Sequence, residues 1–536
     1  MIEFFKSRVR QNLHIVLSLM FYFGLVAYVL NLGYSQNHIF SYPIDDTYIH
    51  LGLAKSISNH FVYGVGGNAS SCSSSPMYGL ILSILFLILP YKEFIPLFIC
   101  LISGAFAIMY MSRYLKKYRL FPVKALALMY IVFSGSFILQ TVMGMEHVFH
   151  AVFFMAYIFF AALVFRKIQN GRYFWTLVVF GNVLTMIRFE SIFVIFFLFA
   201  MLLLYGHFKR AIFFLSSYFT LFAFGLFSIR IGGFFFPNSL MIKGRIPDHT
   251  LKGIIRLVLD FLIDKSPVNT SPSYALNILF VLIFGLLIYK IYKHKDARYP
   301  SVLILFFWLV SCSAQTLLAG IGWLFRYEFY LVVSGYLLFF REISVFAVRI
   351  YRSLNLAMIL IFIALFAQIL VPVAYFRGKK NGLELAVKGM AAIRNQHHVM
   401  GDFIGMYYNH RRIGLNDVGV VSFKTDANIF DITGLCNNEV VKTIRGKGWS
   451  YLGDHLFSMM EEKQVDLVCI YDSYYAGFLK KSYFKVAELE VPKESVTGGN
   501  VISFYVRDLK EKDYLLKSIS QFHKRLPKGC HFNTSF

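Results

Sequence analysis

The chain has 536 residues, of which 57% are hydrophobic and 15% charged, whereas soluble domains carry about 25% charged residues. A soluble globular protein is therefore excluded. The formal net charge is +24, and 30 − 12 = +18 of it falls within residues 1–375, in short basic clusters between long apolar runs. Because cytoplasmic loops of membrane proteins have this composition, nucleic-acid binding is not expected.

Apolar runs near the roughly 20 residues that cross a bilayer recur along residues 1–375. They predict eleven transmembrane helices, at residues 13–32, 94–112, 122–140, 146–165, 173–187, 190–206, 211–230, 274–293, 299–319, 324–341 and 354–375. Residues 76–90 are also apolar but short for a span, and we predict a re-entrant or interfacial helix there.

The basic residues orient these helices. A cytoplasmic amino terminus places 20 Lys and Arg against three acidic residues inside, and leaves ten basic (30 − 20) and nine acidic (12 − 3) residues outside. The positive-inside rule favours this orientation. With eleven crossings, everything after residue 376 is then predicted to be extracytoplasmic.

Three segments are predicted outside the membrane: residues 33–75, 231–273 and 376–536. Within the second, charged residues recur every four positions over residues 250–265, and apolar residues fill the other side. This pattern predicts an amphipathic helix on the membrane surface. The third has an ordinary globular composition, and its short β-branched runs predict a small accessory or acceptor-binding α/β domain. Its candidate strands are residues 412–415, 428–432, 465–471, 484–490 and 501–506.

The chain has six cysteines, which show no metal-ligand spacing. A disulfide among those predicted outside is left open.

The predicted outer turns of residues 1–375 carry ionisable residues close to apolar runs. Charges near a bilayer cost several kcal/mol unless they face a partner or a cavity, so such residues are functional candidates. They are Asp45, Asp46, Glu146, His147, Arg188, Glu190, Arg230, Lys243, Arg245, Arg326 and Glu328.

The adjacent carboxylates Asp45 and Asp46 allow several interpretations. One can accept a proton, or the pair can hold a divalent cation. The structural alternative is a solvated turn that caps a helix beginning near Thr47.

The basic candidates have alternatives too. Arg188 and Glu190 could form an interfacial ion pair, which their spacing alone favours. Arg230, Lys243 and Arg326 could bind lipid headgroups or clamp a phosphate, for which Arg offers a fork of donors and Lys a point charge.

Short motifs in chain order resemble GT-C-type membrane glycosyltransferases, most of all the branch with the bacterial cell-wall arabinofuranosyltransferases and related polyprenyl-phosphate-sugar enzymes. The first outer segment carries Ile44-Asp45-Asp46-Thr47-Tyr48-Ile49, then Asn59, Gly64-Val65-Gly66, Asn68 and Ser75-Pro76. Further matches are Gly144-Met145-Glu146, Arg188-Phe189-Glu190, Arg230 with Pro237-Asn238-Ser239 and Lys243, Asn416-Asp417-Val418-Gly419, and Asp431-Ile432-Thr433-Gly434-Leu435. Phe189, Ser191 and Gly52 stand where relatives usually have Pro, Gly and a basic residue, so the sugar and the acceptor are not implied.

The resemblance implies a mainly α, polytopic GT-C-like helix bundle with a carboxy-terminal soluble α/β domain, in a bacterial inner membrane. It also implies transfer of a sugar from a polyprenyl-phosphate carrier to an extracytoplasmic glycan, glycolipid or protein. No cofactor is implied, although a divalent cation on the acidic pair is left open.

The resemblance further implies roles for the candidate residues. Asp45, by preference, acts as general base or holds the reacting sugar, with Asp46 as its partner. Cations aimed at the leaving phosphate favour the transition state, and the candidates are Lys243, Arg188, Arg326 and Arg230. The expected contacts to the sugar or acceptor are Tyr48, Glu146, His147, Glu190 and Asn238.

The main alternative is a transporter or flippase of lipid-linked sugars. Transporter folds commonly contain internal repeats, and the first half of this chain has no convincing second copy. A transporter would also leave the acidic pair and the large outer domain without a role. A purely structural membrane scaffold would not need ionisable residues at four successive outer turns.

Overall fold

A computed structural model describes residues 2–115, 121–134, 136–243, 271–296, 298–319, 321–350, 382–474, 483–493 and 497–534. The predicted surface helix at 250–265, the last predicted span at 354–375 and the predicted domain boundary at 375/376 lie outside the described residues.

The described residues are mainly α-helical. The helices are α1 (Ile2–Asn37), α2 (Asp45–His60), α3 (Pro76–Ile88), α4 (Ile95–Tyr114), α5 (Phe121–Ser134), α6 (Phe137–Met143), α7 (His147–Phe165), α8 (Gly171–Ile187), α9 (Ile192–Leu204), α10 (Phe208–Phe214), α11 (Phe219–Arg230), α12 (Asn238–Lys243), α13 (Ser271–His294), α14 (Pro300–Ala314), α15 (Phe329–Ile350), α16 (Gly382–Ile393), α17 (Val399–Tyr407), α18 (Gly419–Lys424), α19 (Asn438–Glu462) and α20 (Leu509–Phe522).

Six helices among the described residues are long and apolar enough to cross a membrane: Asn12–Asn37, Lys92–Tyr114, His147–Phe165, Phe208–Arg230, Ala275–His294 and Pro300–Ala319. A pair bent by 54°, Lys124–Phe133 with Phe137–Met143, would make a seventh. All seven coincide with predicted spans. The segment predicted as a re-entrant or interfacial helix forms the apolar α3; its path and the total of eleven crossings stay predictions.

Large apolar side chains are exposed along these helices, as for Phe98, Phe106, Phe219, Val281 and Phe284. Soluble monomers rarely leave large contiguous apolar surfaces open to water, whereas lipid tails are a suitable solvent for them. Length, composition and surface thus agree that this is an integral membrane protein.

The carboxy-terminal part folds as an α/β layer, as predicted. Two short strands of the first predicted outer segment, β1 (Gly64–Val65) and β2 (Asn68–Ala69), form a hairpin separate from the carboxy-terminal sheet. The main sheet contains β3 (Arg412–Leu415), β4 (Asn428–Asp431), β5 (Leu467–Ile470), β6 (Phe484–Glu490), β7 (Val501–Val506) and β8 (His531–Asn533). All five predicted strands are confirmed; β8 was not predicted, because three residues are too few to show a period of two.

The sheet has the order β4-β3-β5-β7-β6-β8. Strands β4, β3 and β5 are parallel, with Ile413 opposite both Ile429 and Leu467. The remaining pairs are antiparallel. The parallel strands therefore end at one common edge, where loops can bring side chains together.

The chain divides into two compact units. The helical unit comprises Met1–Val29, Leu97–Leu221 and Arg245–Glu384, and the mixed unit comprises Leu30–Pro96, Phe222–Gly244 and Leu385–Phe536. The first predicted outer segment thus belongs to the same unit as the main sheet.

Helix α2 lies in the hydrophobic core of the mixed unit. Its Ile49 and Leu53 belong to one buried cluster with Phe403, Leu415 and Leu467. Burying an aliphatic side chain stabilises a protein by about 1.5–3 kcal/mol. The first outer segment is therefore packed as an integral part of this core.

Two glycines permit the close approach of α2 and α18. A Cβ at Gly52 would lie 2.2 Å from Ser422 Oγ, and a Cβ at Gly419 would lie 2.2 Å from the backbone oxygen of Asp45. The contact to Asp45 is the less forgiving one, because a backbone atom cannot turn away as a hydroxyl can.

We expect Gly419→Ala to destabilise the mixed unit by about 1–3 kcal/mol, the usual cost of overpacking. Gly446→Ala is the matched control, because nothing lies within 4 Å of a Cβ there. Thermal unfolding of the purified protein in detergent measures both. Equal melting temperatures for the two variants would show that α2 and α18 are not in close contact.

Candidate functional site

Asp45 is a buried acceptor at the edge where the parallel strands end. Its Oδ2 accepts a hydrogen bond from the Gly419 backbone N–H (2.7 Å) and its Oδ1 one from that of Val420 (2.9 Å). His397 Nδ1 lies 3.0 Å from the same Oδ1. These three donors engage both oxygens of the carboxylate.

The structural alternative, in which the acidic pair forms a turn that caps the helix following it, is wrong. Helix α2 begins at Asp45 itself, and the residue before it, Ile44, makes no side-chain cap. Asp45 instead accepts the first N–H groups of α18, which have no partner within that helix.

His397 lies buried between two carboxylates. Its Nδ1 faces Asp45, while its Nε2 lies 3.1 Å from Gln396 Oε1 and 3.9 Å from Asp417 Oδ2. Only an imidazolium can donate from both nitrogens. Burial by itself lowers the pKa of His397, but the charges of Asp45 and then Asp417 outweigh it and raise the pKa above the ordinary value.

The surroundings hold this ring in place. Gln396 accepts a hydrogen bond from Tyr471 OH (2.9 Å) and donates one to the Gly499 carbonyl (2.8 Å). Burial raises the pKa of Asp417; His397 opposes this rise and Asp45 adds to it. The cluster of Asp45, His397 and Asp417 thus shares two carboxylates and one cation.

Asp46 has a different environment from its neighbour. Its side chain is 27% exposed, and its Oδ2 lies 3.4 Å from Lys243 Nζ. The Lys243 side chain is 40% exposed. Of the two adjacent carboxylates, Asp46 is therefore the one that solvent or a substrate can reach.

A second charged cluster lies in the helical unit, around Arg188. The Arg188 Nη1 contacts Glu146 Oε1, and its Nη2 and Nε contact the two oxygens of Glu190. All three side chains are buried. The ion-pair alternative therefore describes the observed geometry, and a guanidinium with two carboxylates has little capacity left for a phosphate.

Polar side chains continue from this cluster. His150 Nε2 lies 2.8 Å from Ser191 Oγ, and the His150 ring lies 4.6 Å from that of Tyr330. His147 is buried, as is Arg326.

The Arg326 guanidinium lies near an aromatic ring and a thioether sulfur. Its guanidinium lies 5.2 Å from the Tyr327 ring, and its Nη1 lies 3.4 Å from Met145 Sδ. Its role as a phosphate ligand stays a prediction.

Three other predicted site residues occupy different settings. Tyr48 is buried, donating to Glu93 Oε1 (2.7 Å) and lying 2.9 Å from His398 Nε2. Asn238 is also buried and donates to Asn438 Oδ1 at 2.9 Å. Arg230 is exposed at the end of α11, and no ion pair joins it to any described residue. Tyr48 and Asn238 are thus hydrogen-bonded within the mixed unit, and their contact with sugar or acceptor stays a prediction.

The structure adds residues that the sequence did not single out: His397, Gln396 and Tyr471. A signal existed for part of this cluster. Asp417 follows β3 and Tyr471 follows β5, and loops after parallel strands commonly carry functional side chains. His397 carries no local signal, because its role depends on Asp45, which is far away in sequence.

The donor set does not fit a divalent cation at the acidic pair. Both Asp45 oxygens already accept hydrogen bonds. Within the described ranges, no group of three or more His, Cys, Asp or Glu side chains is arranged to hold a metal ion. All six cysteines are described and buried, and none forms a disulfide.

Comparison of the sequence with protein families matches part of the chain. Residues 389–505 match a family described as a domain of unknown function (DUF8728). No curated protein sequence matches the chain.

Solved structures share a partial likeness. The chain is similar to ArnT from Cupriavidus metallidurans bound to undecaprenyl phosphate (10% identity, 91% of this chain and 98% of that one, TM-score 0.47). It is also similar to an Archaeoglobus fulgidus oligosaccharyltransferase in complex with Zn and sulfate (12% identity, 90% and 73%, TM-score 0.44). A third is AglB of that organism, solved with an inhibitory peptide and a dolichol-phosphate (10% identity, 91% and 74%, TM-score 0.42). Likeness at this level carries no conclusion about the activity of this chain.

We expect Arg188→Met to destabilise the helical unit by about 3–5 kcal/mol, because it leaves two glutamates buried without their cation. The control is Arg230→Met, an exposed position that should change stability by less than about 0.5 kcal/mol. Thermal unfolding in detergent compares the two. A small effect at Arg188 would mean that the glutamates are hydrated or protonated.

We expect the stabilisation from His397 to fade at alkaline pH. The pKa of His397 is higher in the folded protein than its ordinary value of 6.5, so its contribution is complete below pH 6.5 and is lost as the pH rises through the raised value. The difference in melting temperature between wild type and His397→Asn should therefore shrink with rising pH. His410→Asn, an exposed histidine, serves as control. A difference that grows with pH would contradict an imidazolium at position 397.

Proposed function

We propose that this protein is a membrane glycosyltransferase that moves a sugar from a polyprenyl-phosphate carrier to a hydroxyl group on the extracytoplasmic side. The observation that carries the proposal is the pair of Asp46 and Lys243, a carboxylate and an ammonium 3.4 Å apart and both partly exposed. One comes from the first predicted outer segment and the other from the second.

This pair suits both halves of a glycosyl transfer. Asp46 takes the proton of the acceptor hydroxyl while the hydroxyl oxygen bonds to the anomeric carbon. The bond from that carbon to the phosphate oxygen breaks, and the phosphate leaves with the electron pair. Lys243 stabilises the charge that the phosphate gains. Because an exposed ion pair is weak, Lys243 can exchange Asp46 for the phosphate at little cost.

The geometry revises the roles of the two aspartates. The resemblance implies Asp45, by preference, as the base, but this carboxylate is buried and both of its oxygens are engaged. A general base must reach the proton that it accepts. Asp46 meets that requirement, and Asp45 then holds the first turn of α2, on which Asp46 lies.

The carrier and the compartment are supported by the membrane part of the chain. The six long apolar helices of the described residues support a location in the membrane, and polyprenyl lipids are membrane lipids. The predicted orientation faces the acidic pair away from the cytoplasm, where soluble sugar nucleotides are found. The motifs around Asp46, Glu146, Arg188 and Lys243 resemble enzymes that use lipid-phosphate donors.

The test offers purified protein in detergent a panel of polyprenyl-phosphate sugars with a cell-envelope glycan extract. We expect turnover with one donor, and a fall of about 10²–10⁴-fold in Asp46→Asn, the usual contribution of a general base. Lys243→Met should lower turnover by about 10²-fold or more. Asp513→Asn and Lys510→Met change exposed residues of the mixed unit and should leave it unchanged.

Two results would contradict the proposal, the first its assignment of the base and the second the transferase activity itself. Turnover that survives Asp46→Asn would remove the assigned base. Donor binding without turnover, with lipid-linked sugar crossing vesicles equally well in wild type and variants, would instead indicate a transporter.

A further inference from the structure

The region that matches a domain of unknown function contacts the acidic segment directly. It spans residues 389–505 and includes all three groups that hydrogen-bond Asp45: the backbone N–H groups of Gly419 and Val420, and the His397 ring. We infer that His397 is a positioning residue, which holds the first turn of α2 through Asp45 and thereby aims Asp46. This inference rests on the proposed function.

The covalent geometry connects the two aspartates. Asp45 and Asp46 are the first two residues of α2, so immobilising the Asp45 carboxylate also fixes the turn that carries Asp46. Catalytic groups lose much of their effect when they are misplaced by about 1 Å. A firm hold on Asp45 is therefore a requirement for Asp46 to act.

His397 supplies a third donor to Asp45, its Nδ1, beside the two backbone amides. It lies between Asp45 of α2 and Asp417 of the loop after β3, while Gln396, held by Tyr471, accepts at its other nitrogen. Without the ring, no donor of this cluster would lie between the buried Asp45 and the partly exposed Asp417. Charge-assisted hydrogen bonds are roughly twice as strong as neutral ones.

His397 does not itself face a substrate. Its side chain is 5% exposed, and its two nitrogens are directed at groups of the mixed unit. It therefore acts through Asp45 rather than on reacting atoms.

The other end of the α2 contact is also held by the carboxy-terminal part. Lys55 Nζ donates to the Thr425 carbonyl (2.7 Å) and lies 2.9 Å from Asp426 Oδ1. With Asp45 and Lys55 both attached to residues 419–426, α2 is held at two points. The carboxy-terminal region thus works as a platform for the acidic segment, which goes beyond the accessory role that the sequence suggested.

The experiment exploits the two nitrogens of histidine. In His397→Asn the side-chain amide nitrogen falls where Nδ1 was and can still donate to Asp45, whereas in His397→Gln it falls where Nε2 was and cannot. His397→Ala removes both. Transfer kinetics are measured for the full-length protein with the donor that wild type uses, and His410→Ala is the exposed control.

We expect kcat to fall about tenfold or more in His397→Ala and His397→Gln, with the KM for donor changed less than about twofold, since one hydrogen bond to a charged group is lost. His397→Asn should recover kcat to within about threefold of wild type. A merely structural histidine would lower the yield of folded protein without this difference between Asn and Gln.

A second readout does not depend on activity. Amide hydrogen exchange across α2 should be faster in His397→Ala and His397→Gln than in wild type and His397→Asn. Equal kcat and equal exchange in the Asn and Gln variants would overturn the positioning role. If wild type shows no transfer with any donor, the proposed function fails, while the exchange experiment still decides whether His397 holds α2.

Discussion

The arrangement of the mixed unit depends on one buried carboxylate. Asp45 would be costly to bury alone, and it is stable there because two backbone N–H groups and the His397 ring donate to it. The same helix buries Ile49 and Leu53 in the hydrophobic core. Burial of apolar side chains stabilises this packing. The hydrogen bonds to Asp45 fix the position of α2 relative to α18.

Two adjacent carboxylates acquire different chemistry from this arrangement. Asp45 has its lone pairs engaged and is removed from solvent, whereas Asp46 stays partly exposed beside Lys243. A helix places successive side chains about 100° apart, so one member of the pair can point into the protein while the other points out. The two residues are chemically identical, and the fold gives them different environments.

The helical unit also contains buried charged side chains, but there one cation faces two carboxylates. Arg188 lies between Glu146 and Glu190, so the buried group carries more negative than positive formal charge. Breaking such a cluster is costly even where forming it contributes little. Its members therefore connect the ends of the helices on which they lie.

The sequence alone determined the features that depend on composition and period: the membrane class, the six long apolar helices found among the described residues, and five strands of the sheet. It also singled out the acidic pair, because ionisable residues are rare beside apolar runs. Only the tertiary structure decided which aspartate is buried, that Arg188 is held by two glutamates, and that His397 bonds to Asp45. The physical reason is distance along the chain: hydropathy and helical period are local, whereas His397 and Asp45 are separated by most of the membrane helices.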